Sequence, residues 1–232
     1  MREQLLNIYH LMLERYGPQH WWPGETPFEV MVGAILTQSA AWVNVEKAIN
    51  NLKAARALSP AAIRRLPQDE LAHLIHSSGY FNAKAYKLKA MVEWLGKNFD
   101  DGPDRMSAWE IAELRKSLLA VHGIGEETAD SIILYAAYKP IFVIDAYTRR
   151  VLGRLGLCPL SRKSMEKHGH SYATFQTLFM DNLPLDTSMF NEYHALFVRH
   201  GKETCRKKPL CLHCCLRSIC PYSAAQGIHD NG

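Results

Sequence analysis

Apolar residues recur every three or four positions along most of this chain, which is the spacing that buries one face of an α-helix. The clearest segments are 42–52, 88–95 and 111–118. Alternation typical of β-strands never extends beyond a few residues. The apolar run 141–144 could form a short strand, but it has no partner strand, so we interpret it as a loop that fills the core. The pattern therefore predicts an all-α protein.

Capping residues indicate where several helices begin. Thr26 and Ser59 are each followed by proline, which is favoured at the first position of a helix. Ser107 and Glu110 have the spacing of a capping box, in which each side chain binds the backbone N–H of the other residue. We therefore expect helices to begin directly after Thr26, Ser59 and Ser107.

The segment Gly123-Ile124-Gly125 connects two helical patterns by a very short turn. Glycines on both sides of one apolar residue allow a tight turn and let a ligand approach the backbone. Ile124 is expected to fill the gap between the helices, while the N–H groups after the turn suit an anion such as a DNA phosphate. A tight turn that binds no ligand has the same local pattern, so both interpretations stay open here.

Asp145 stands where another helix should begin, directly after the apolar run. As an N-cap, its carboxylate would accept backbone N–H groups and lie at the positive end of the helix dipole. Both interactions favour the ionised carboxylate at neutral pH. The position is compatible with a catalytic carboxylate and equally with a simple helix cap.

Composition and charge limit the functional classes. The 232 residues are 47% hydrophobic and 22% charged, so the chain can bury a substantial core. No apolar run approaches the roughly 20 residues of a membrane helix, and the first residues have no signal-peptide pattern, so we expect a cytoplasmic protein without a membrane partner. The net charge of +4 is compatible with nucleic acid but does not identify it.

Five of the six cysteines lie in the segment 205–220. Clustered cysteines in a cytosolic chain favour metal binding over disulfides. Zinc modules usually show two close pairs of cysteines, whereas this segment has one pair and two separated residues, and four cysteines can hold a [4Fe–4S] cluster. Zinc and free thiols remain alternatives, and so does Cys215 as a replacement for Cys214. The candidate metal ligands are Cys205, Cys211, Cys214 and Cys220.

The hairpin glycines followed by Asp145 resemble the helix–hairpin–helix DNA glycosylase superfamily, which includes endonuclease III. The resemblance implies that the chain binds double-stranded DNA with a damaged base, and that Asp145 helps to break the N-glycosidic bond of a flipped-out nucleotide. Gln38 matches a glutamine that fills the hole left by that base, and Tyr80 matches a wedge residue. The DNA-binding residues implied in this way are Gln38, Tyr80, Gly123, Ile124, Gly125 and Thr128.

One position departs from the bifunctional members of this superfamily. In those enzymes a lysine lies two residues beyond the second hairpin glycine and attacks the sugar as an amine, but here that position is Glu127. A carboxylate cannot form an imine, so the resemblance implies an enzyme that removes the base without cleaving the strand. Asp145 would then stabilise oxocarbenium-like charge and orient the water.

A second set of motifs resembles the 3-methyladenine DNA glycosylase III branch. This branch has a Trp-Trp-Pro element, an aromatic residue at the position of Trp42 and a late pocket segment like 200–202. Aromatic faces attract a cationic alkylpurine by about 0.5–2 kcal/mol. Lys202 would repel such a base unless it is neutralised or binds phosphate, and Trp42 could instead be a core residue. The base pocket implied by the resemblance comprises Trp21, Trp22, Pro23, Trp42, Glu127 and Lys202.

The segment 207–211 resembles the cluster loop of endonuclease III, which implies a [4Fe–4S] cofactor, although the first cysteine gap is one residue shorter than usual. The resemblance also implies a two-domain fold. A six-helix domain at 21–132 would carry the hairpin, and 1–20 with 133–232 would form the helical domain that holds the cluster. We expect a monomer associated with the nucleoid.

Two other functions are compatible with these motifs. An endonuclease III-like glycosylase for oxidised or mismatched bases would use the same mechanism on another target. A catalytically silent iron–sulfur DNA-binding protein would reuse the fold without the chemistry. Asp145 argues against the silent protein, and the Trp-Trp-Pro element favours alkylated bases over the other lesions.

Overall fold

The computed structural model describes residues 1–157 and 171–226, and Cys158 lies outside them. Within these ranges the chain is helical and no residue lies in a β-strand, as the hydrophobic pattern predicts. The α-helices are α1 (Arg2–Tyr16), α2 (Pro27–Leu36), α3 (Trp42–Ala54), α4 (Pro60–Arg65), α5 (Gln68–Leu74), α6 (Phe81–Phe99), α7 (Ile111–Leu119), α8 (Glu126–Ser131), α9 (Ala146–Arg154), α10 (Tyr172–Met180), α11 (Thr187–Glu203) and α12 (Pro221–Ala225).

The chain forms two compact units. We call residues 22–139 the hairpin unit, and residues 1–21 together with 140–232 the terminal unit. Seven α-helices, α2 to α8, lie in the hairpin unit, where the sequence predicts six. The sequence predicts domain limits after residues 20 and 132, whereas the boundaries between the two units lie after residues 21 and 139.

Two of the three predicted helix starts are confirmed. Thr26 and Ser59 each accept a hydrogen bond from the backbone N–H three residues later, at 3.2 Å. The start after Ser107 is wrong, because Ser107 lies in a 3₁₀-helix (Pro103–Ala108) and donates its hydroxyl to the Asp104 carbonyl. Trp109 then continues as extended chain, with its ring 4.7 Å from that of Phe99, and α7 begins only at Ile111.

The core of the hairpin unit surrounds α2 and α6. Every residue of α2 after the first proline is buried, and the long helix α6 packs against α4 and α5. A five-residue π-helix, Ile132–Ala136, continues α8 and packs against α2. This packing fixes the start of α3, the hairpin and the start of α6 within one body.

The core of the terminal unit is rich in aromatic rings. Phe142 stacks on Phe179 with ring centroids 3.7 Å apart, and Tyr193 stacks on Phe197 at 4.8 Å. The run 141–144 is buried without forming a strand, so its interpretation as a core-filling loop is confirmed. Among the described residues, no helix combines the length and apolar character needed to cross a membrane.

Candidate functional site

The two hairpin glycines have different local requirements. Gly123 has φ +81°, and a Cβ there would lie 2.3 Å from Cγ of Lys87, so both backbone and packing require glycine. Gly125 has φ −95°, which other residues adopt, and a Cβ there would meet nothing within 4 Å. Ile124 is buried between them, as predicted. The open backbone at Gly125 is therefore the part of the turn that a ligand can approach most closely.

Gln38 is hydrogen-bonded to the hairpin in this structure. Its side-chain amide donates to the Gly123 carbonyl at 3.1 Å and to the Thr128 hydroxyl at 2.9 Å. The ammonium of Lys87 donates to the Gln38 side-chain oxygen. Three predicted DNA-binding residues thus come together, although Thr128 is buried and its hydroxyl is used within the protein.

Tyr80 adopts an uncommon backbone conformation. It has φ 46° and ψ 31°, in the left-handed region, directly before α6, and 75% of the residue is exposed. This conformation costs about 1–2 kcal/mol for a residue with a Cβ. An exposed aromatic ring held in a costly conformation is compatible with the predicted wedge.

Lys84 connects the segments that carry Gln38 and Tyr80. Its buried ammonium donates to the carbonyls of Leu36, at 2.8 Å, and Ser78, at 2.7 Å. Burial, with a smaller contribution from the charge of Lys87, lowers the pKa of Lys84 to about 8. Each acceptor lies two residues before a predicted DNA-contacting side chain, so one buried group holds both segments.

Asp145 caps α9, as the sequence predicts. Its Oδ1 accepts the backbone N–H of Thr148 at 2.7 Å, and the residue is 8% exposed. The second oxygen, Oδ2, lies 3.9 Å from Nε2 of His194 on α11. Burial lowers the pKa of His194 below its usual value, and the charge of Asp145 opposes this shift only in part. The imidazole is therefore neutral at pH 7 beside an N-capping carboxylate.

Three predicted pocket residues line one cavity of about 310 Å³ in the hairpin unit: Trp22, Pro23 and Trp42. The rings of Trp22 and Trp42 are nearly perpendicular, with their centroids 5.7 Å apart, and Trp42 is half-buried rather than a core residue. Gly33 allows this arrangement, because a Cβ there would lie 3.2 Å from the Trp22 indole nitrogen. The charged residues of the cavity wall are Glu25, Glu29, Glu46 and Lys53, so the wall is acidic.

The remaining pocket residues lie elsewhere. Trp21 and Lys202 belong to the terminal unit, where the Lys202 ammonium lies 5.9 Å from the centre of a Trp21 ring and 6.0 Å from that of Tyr147. Glu127 is exposed in the first turn of α8. The charge of Lys202 thus faces aromatic rings, an environment that sequence analysis did not predict.

Four cysteines of the C-terminal segment line one small cavity of about 20 Å³ in the terminal unit: Cys205, Cys211, Cys214 and Cys220. Cys215 does not line it, which favours Cys214 as the third candidate ligand. Arg154 donates to the sulfur of Cys205 at 3.1 Å. Within the described residues, no three histidine, cysteine or acidic side chains are arranged so that they could hold a metal ion. The donor set nevertheless matches that of an iron–sulfur cluster, with four thiols around a common space.

Sequence analysis missed three side chains beside the predicted residues: Lys87, Tyr147 and His194. Lys87 contacts Gln38 and Tyr147 faces Lys202, but no local pattern links either pair. His194 could have been found, because it follows Phe190 by four residues and precedes Phe197 by three, which places it on the apolar face of α11.

The sequence model of one protein family, the HhH-GPD superfamily of base excision DNA repair proteins, matches residues 32–172 of this chain. The chain belongs to this superfamily. As an HhH-GPD protein it is a DNA-binding glycosylase of base excision repair. A Methanocaldococcus jannaschii relative, named "Putative DNA repair glycosylase MJ1434", is 42% identical over 94% of this chain and 96% of its own length.

Solved structures of the superfamily share the fold. A trapped endonuclease III–DNA covalent intermediate superposes with a TM-score of 0.80 at 20% identity, covering 98% of this chain and 99% of that chain. The H. pylori 3-methyladenine DNA glycosylase bound to 1,N6-ethenoadenine is 26% identical, with a TM-score of 0.67, covering 87% of this chain and 97% of that chain. The predicted all-α HhH glycosylase fold is therefore confirmed.

Proposed function

We propose that this HhH-GPD glycosylase is monofunctional and hydrolyses the N-glycosidic bond of alkylated bases, with Asp145 as its catalytic residue. The observation that carries the proposal is the environment of Asp145. Its Oδ1 accepts a backbone N–H at the N-terminus of α9, and a neutral imidazole lies beside its Oδ2. A carboxylate held in this way can stabilise the positive charge that develops on the sugar as the base departs.

The absence of strand cleavage follows from the residue at position 127. Glu127 is exposed in the first turn of α8, two residues beyond Gly125, where bifunctional enzymes have the attacking lysine. Without an amine at this position the nucleophile is water. Asp145 is the group that orients this water and accepts its proton as the bond to the sugar forms.

The aromatic and acidic residues around Trp42 support a cationic substrate. Trp22 and Trp42 line a cavity in whose wall three carboxylates outnumber one ammonium. A base with a positive charge gains about 0.5–2 kcal/mol from an aromatic face in addition to stacking. The similarity to the H. pylori 3-methyladenine DNA glycosylase points in the same direction. Trp21, Lys202 and Glu127, which the family resemblance also implies as pocket residues, do not line this cavity.

We assign DNA contacts to the hairpin and to two intruding side chains. The backbone around Gly125 approaches a phosphate, Tyr80 acts as the wedge and Gln38 occupies the hole left by the flipped base. To do so, Gln38 must give up the three side-chain hydrogen bonds that hold it against the hairpin and Lys87. The enzyme acts on double-stranded DNA as a monomer.

Incubation with a panel of duplexes tests the activity. We expect abasic sites, revealed by alkali, in duplexes with 3-methyladenine and no strand breaks before alkali treatment. Asp145→Asn should retain duplex binding and lose most of the rate, because it removes the charge but little of the shape. Excision restricted to oxidised pyrimidines would refute the substrate, and borohydride trapping of a protein–DNA adduct would refute the monofunctional mechanism.

We further propose that Cys205, Cys211, Cys214 and Cys220 hold a [4Fe–4S] cluster. When bound, the cluster cross-links the C-terminal segment. Purified protein should contain about four iron and four sulfide ions per chain. Serine at Cys211 should abolish the associated visible absorbance, whereas serine at Cys215, the matched control, should not. Stoichiometric zinc in place of iron would contradict the assignment.

A further inference from the structure

The two oxygens of the Asp145 carboxylate have different partners. Oδ1 accepts the backbone N–H of Thr148 at 2.7 Å, and this bond fixes one end of the carboxylate to the first turn of α9. Oδ2 has Nε2 of His194 as a neighbour at 3.9 Å. A carboxylate held at one oxygen can still turn about its Cβ–Cγ bond, so a group beside Oδ2 determines how far it turns.

His194 is well placed for this task. It lies in the middle of α11, the helix that packs most extensively against α9, and it is 5% exposed. Its neighbours in the sequence, Tyr193 and Ala195, are buried as well, so the imidazole has little freedom to move away from Asp145. The geometry is therefore set by packing between two helices of the same unit.

A neutral imidazole differs from a cation at this position. Burial lowers the pKa of His194, so its ring carries no charge at pH 7. An arginine or lysine beside Oδ2 would offset the negative charge that must stabilise the developing positive charge on the sugar. A neutral ring can restrain the carboxylate without offsetting that charge.

We propose that His194 is a positioning residue for the glycosylase reaction, which holds Oδ2 of Asp145 in the orientation that faces the sugar and the attacking water. This inference rests on the proposed catalytic role of Asp145. His194 does not itself touch the substrate in this assignment. Its contribution should therefore appear in the rate of the chemical step and not in the affinity for DNA.

Two substitutions separate the polar contact from the packing. His194→Phe retains an aromatic ring of similar size but no N–H, and His194→Gln retains an amide donor. Phe190→Leu is the matched control, because Phe190 is buried on the same helix and packs against Phe142. For each variant we would measure the single-turnover rate of base release, the Kd for a lesion duplex and the thermal midpoint.

We expect His194→Phe to lower the single-turnover rate by about 10- to 100-fold, the range that follows from a small misplacement of a catalytic group. Its Kd should remain within about twofold of the wild-type value. His194→Gln should recover most of the rate, and Phe190→Leu should retain it. A rate for His194→Phe equal to that of the wild type, or equal losses in the Phe and Gln variants, would overturn the proposal.

Asp145→Asn separates this inference from the proposed function. If Asp145→Asn retains the wild-type rate, the catalytic role of Asp145 fails, and the assignment of His194 fails with it. If Asp145→Asn loses the rate and His194→Phe does not, only the role of His194 is refuted. In the double variant, His194→Phe should cause no further loss, because there is no longer a charge to orient.

Discussion

Alanine at each of the two hairpin glycines should affect a different property, stability at Gly123 and DNA binding at Gly125. Gly123→Ala places a Cβ at φ +81°, which costs about 1–2 kcal/mol, and within 2.3 Å of the Lys87 side chain. Lys87 must then move and give up its bond to Gln38. For a chain of this length, 1 kcal/mol shifts the thermal midpoint by about 2–4 °C, so we expect a decrease of about 2–8 °C.

Gly125→Ala is the matched substitution at an unstrained position. Its φ of −95° suits alanine, and its Cβ would meet no protein atom within 4 Å. The thermal midpoint should stay constant or rise slightly, because alanine restricts the unfolded chain. The methyl group would occupy the space that a phosphate needs, so we expect about tenfold weaker duplex binding. The slope of log Kd against log salt should change little, because a neutral backbone N–H releases no counterion.

Thermal unfolding without DNA and duplex titrations at several salt concentrations measure both effects. Asp145→Asn, which we expect to bind like the wild type, serves as the control for binding. Equal destabilisation by the two alanines would contradict the assignment of different roles to the glycines. Wild-type DNA affinity in Gly125→Ala would show that no phosphate approaches this part of the backbone.

Two further predictions concern Trp42 and Lys84. Trp42→Ala should reduce the rate of 3-methyladenine excision more than that of neutral hypoxanthine, because the cation–π contribution of about 0.5–2 kcal/mol is lost only for the cationic base. Equal losses of rate on the two bases would mean that Trp42 only packs against its neighbours. Lys84 has a folded-state pKa of about 8, below its value of 10.5 in the unfolded chain. Between pH 8 and pH 10.5 the unfolded chain therefore binds more protons than the folded chain, and the free energy of unfolding should rise with pH in this range. The unfolding free energy of the wild type relative to Lys84→Met should therefore increase between pH 8 and 10, on the order of 1–3 kcal/mol. Denaturant titrations that show no such increase would show that burial does not lower the pKa of Lys84.

Local chemistry accounts for the features that the sequence predicted correctly. Thr26 and Ser59 cap helices, and Asp145 caps α9, because capping needs only a short polar side chain and the next few backbone groups. Ser107 has an equally good local pattern, but the preceding 3₁₀ turn uses its hydroxyl. Trp109 packs on Phe99, ten residues earlier, with an extended backbone, and α7 begins two residues later.

The contacts around the candidate site depend on residues that are distant in the sequence. Lys87 is hydrogen-bonded to Gln38, which lies 49 positions earlier in the sequence. His194 lies beside Asp145 because α11 packs against α9. No periodicity encodes either pair. The family resemblance implied the residues that we propose to face the substrate, whereas the pairing of these residues with Lys87 and His194 became visible only in the folded chain.

The terminal unit consists of two segments that are far apart in the sequence, and this has a consequence for biosynthesis. Tyr193 donates its hydroxyl to the Leu5 carbonyl, and the Tyr16 hydroxyl is hydrogen-bonded to His200, which is 184 residues away. Helix α1 therefore leaves the ribosome long before its partner α11 has been translated. The hairpin unit is continuous in the chain and can fold in the meantime. Until α11 emerges, the apolar face of α1 stays exposed, so we expect the nascent chain to be most prone to chaperone binding and aggregation in that interval.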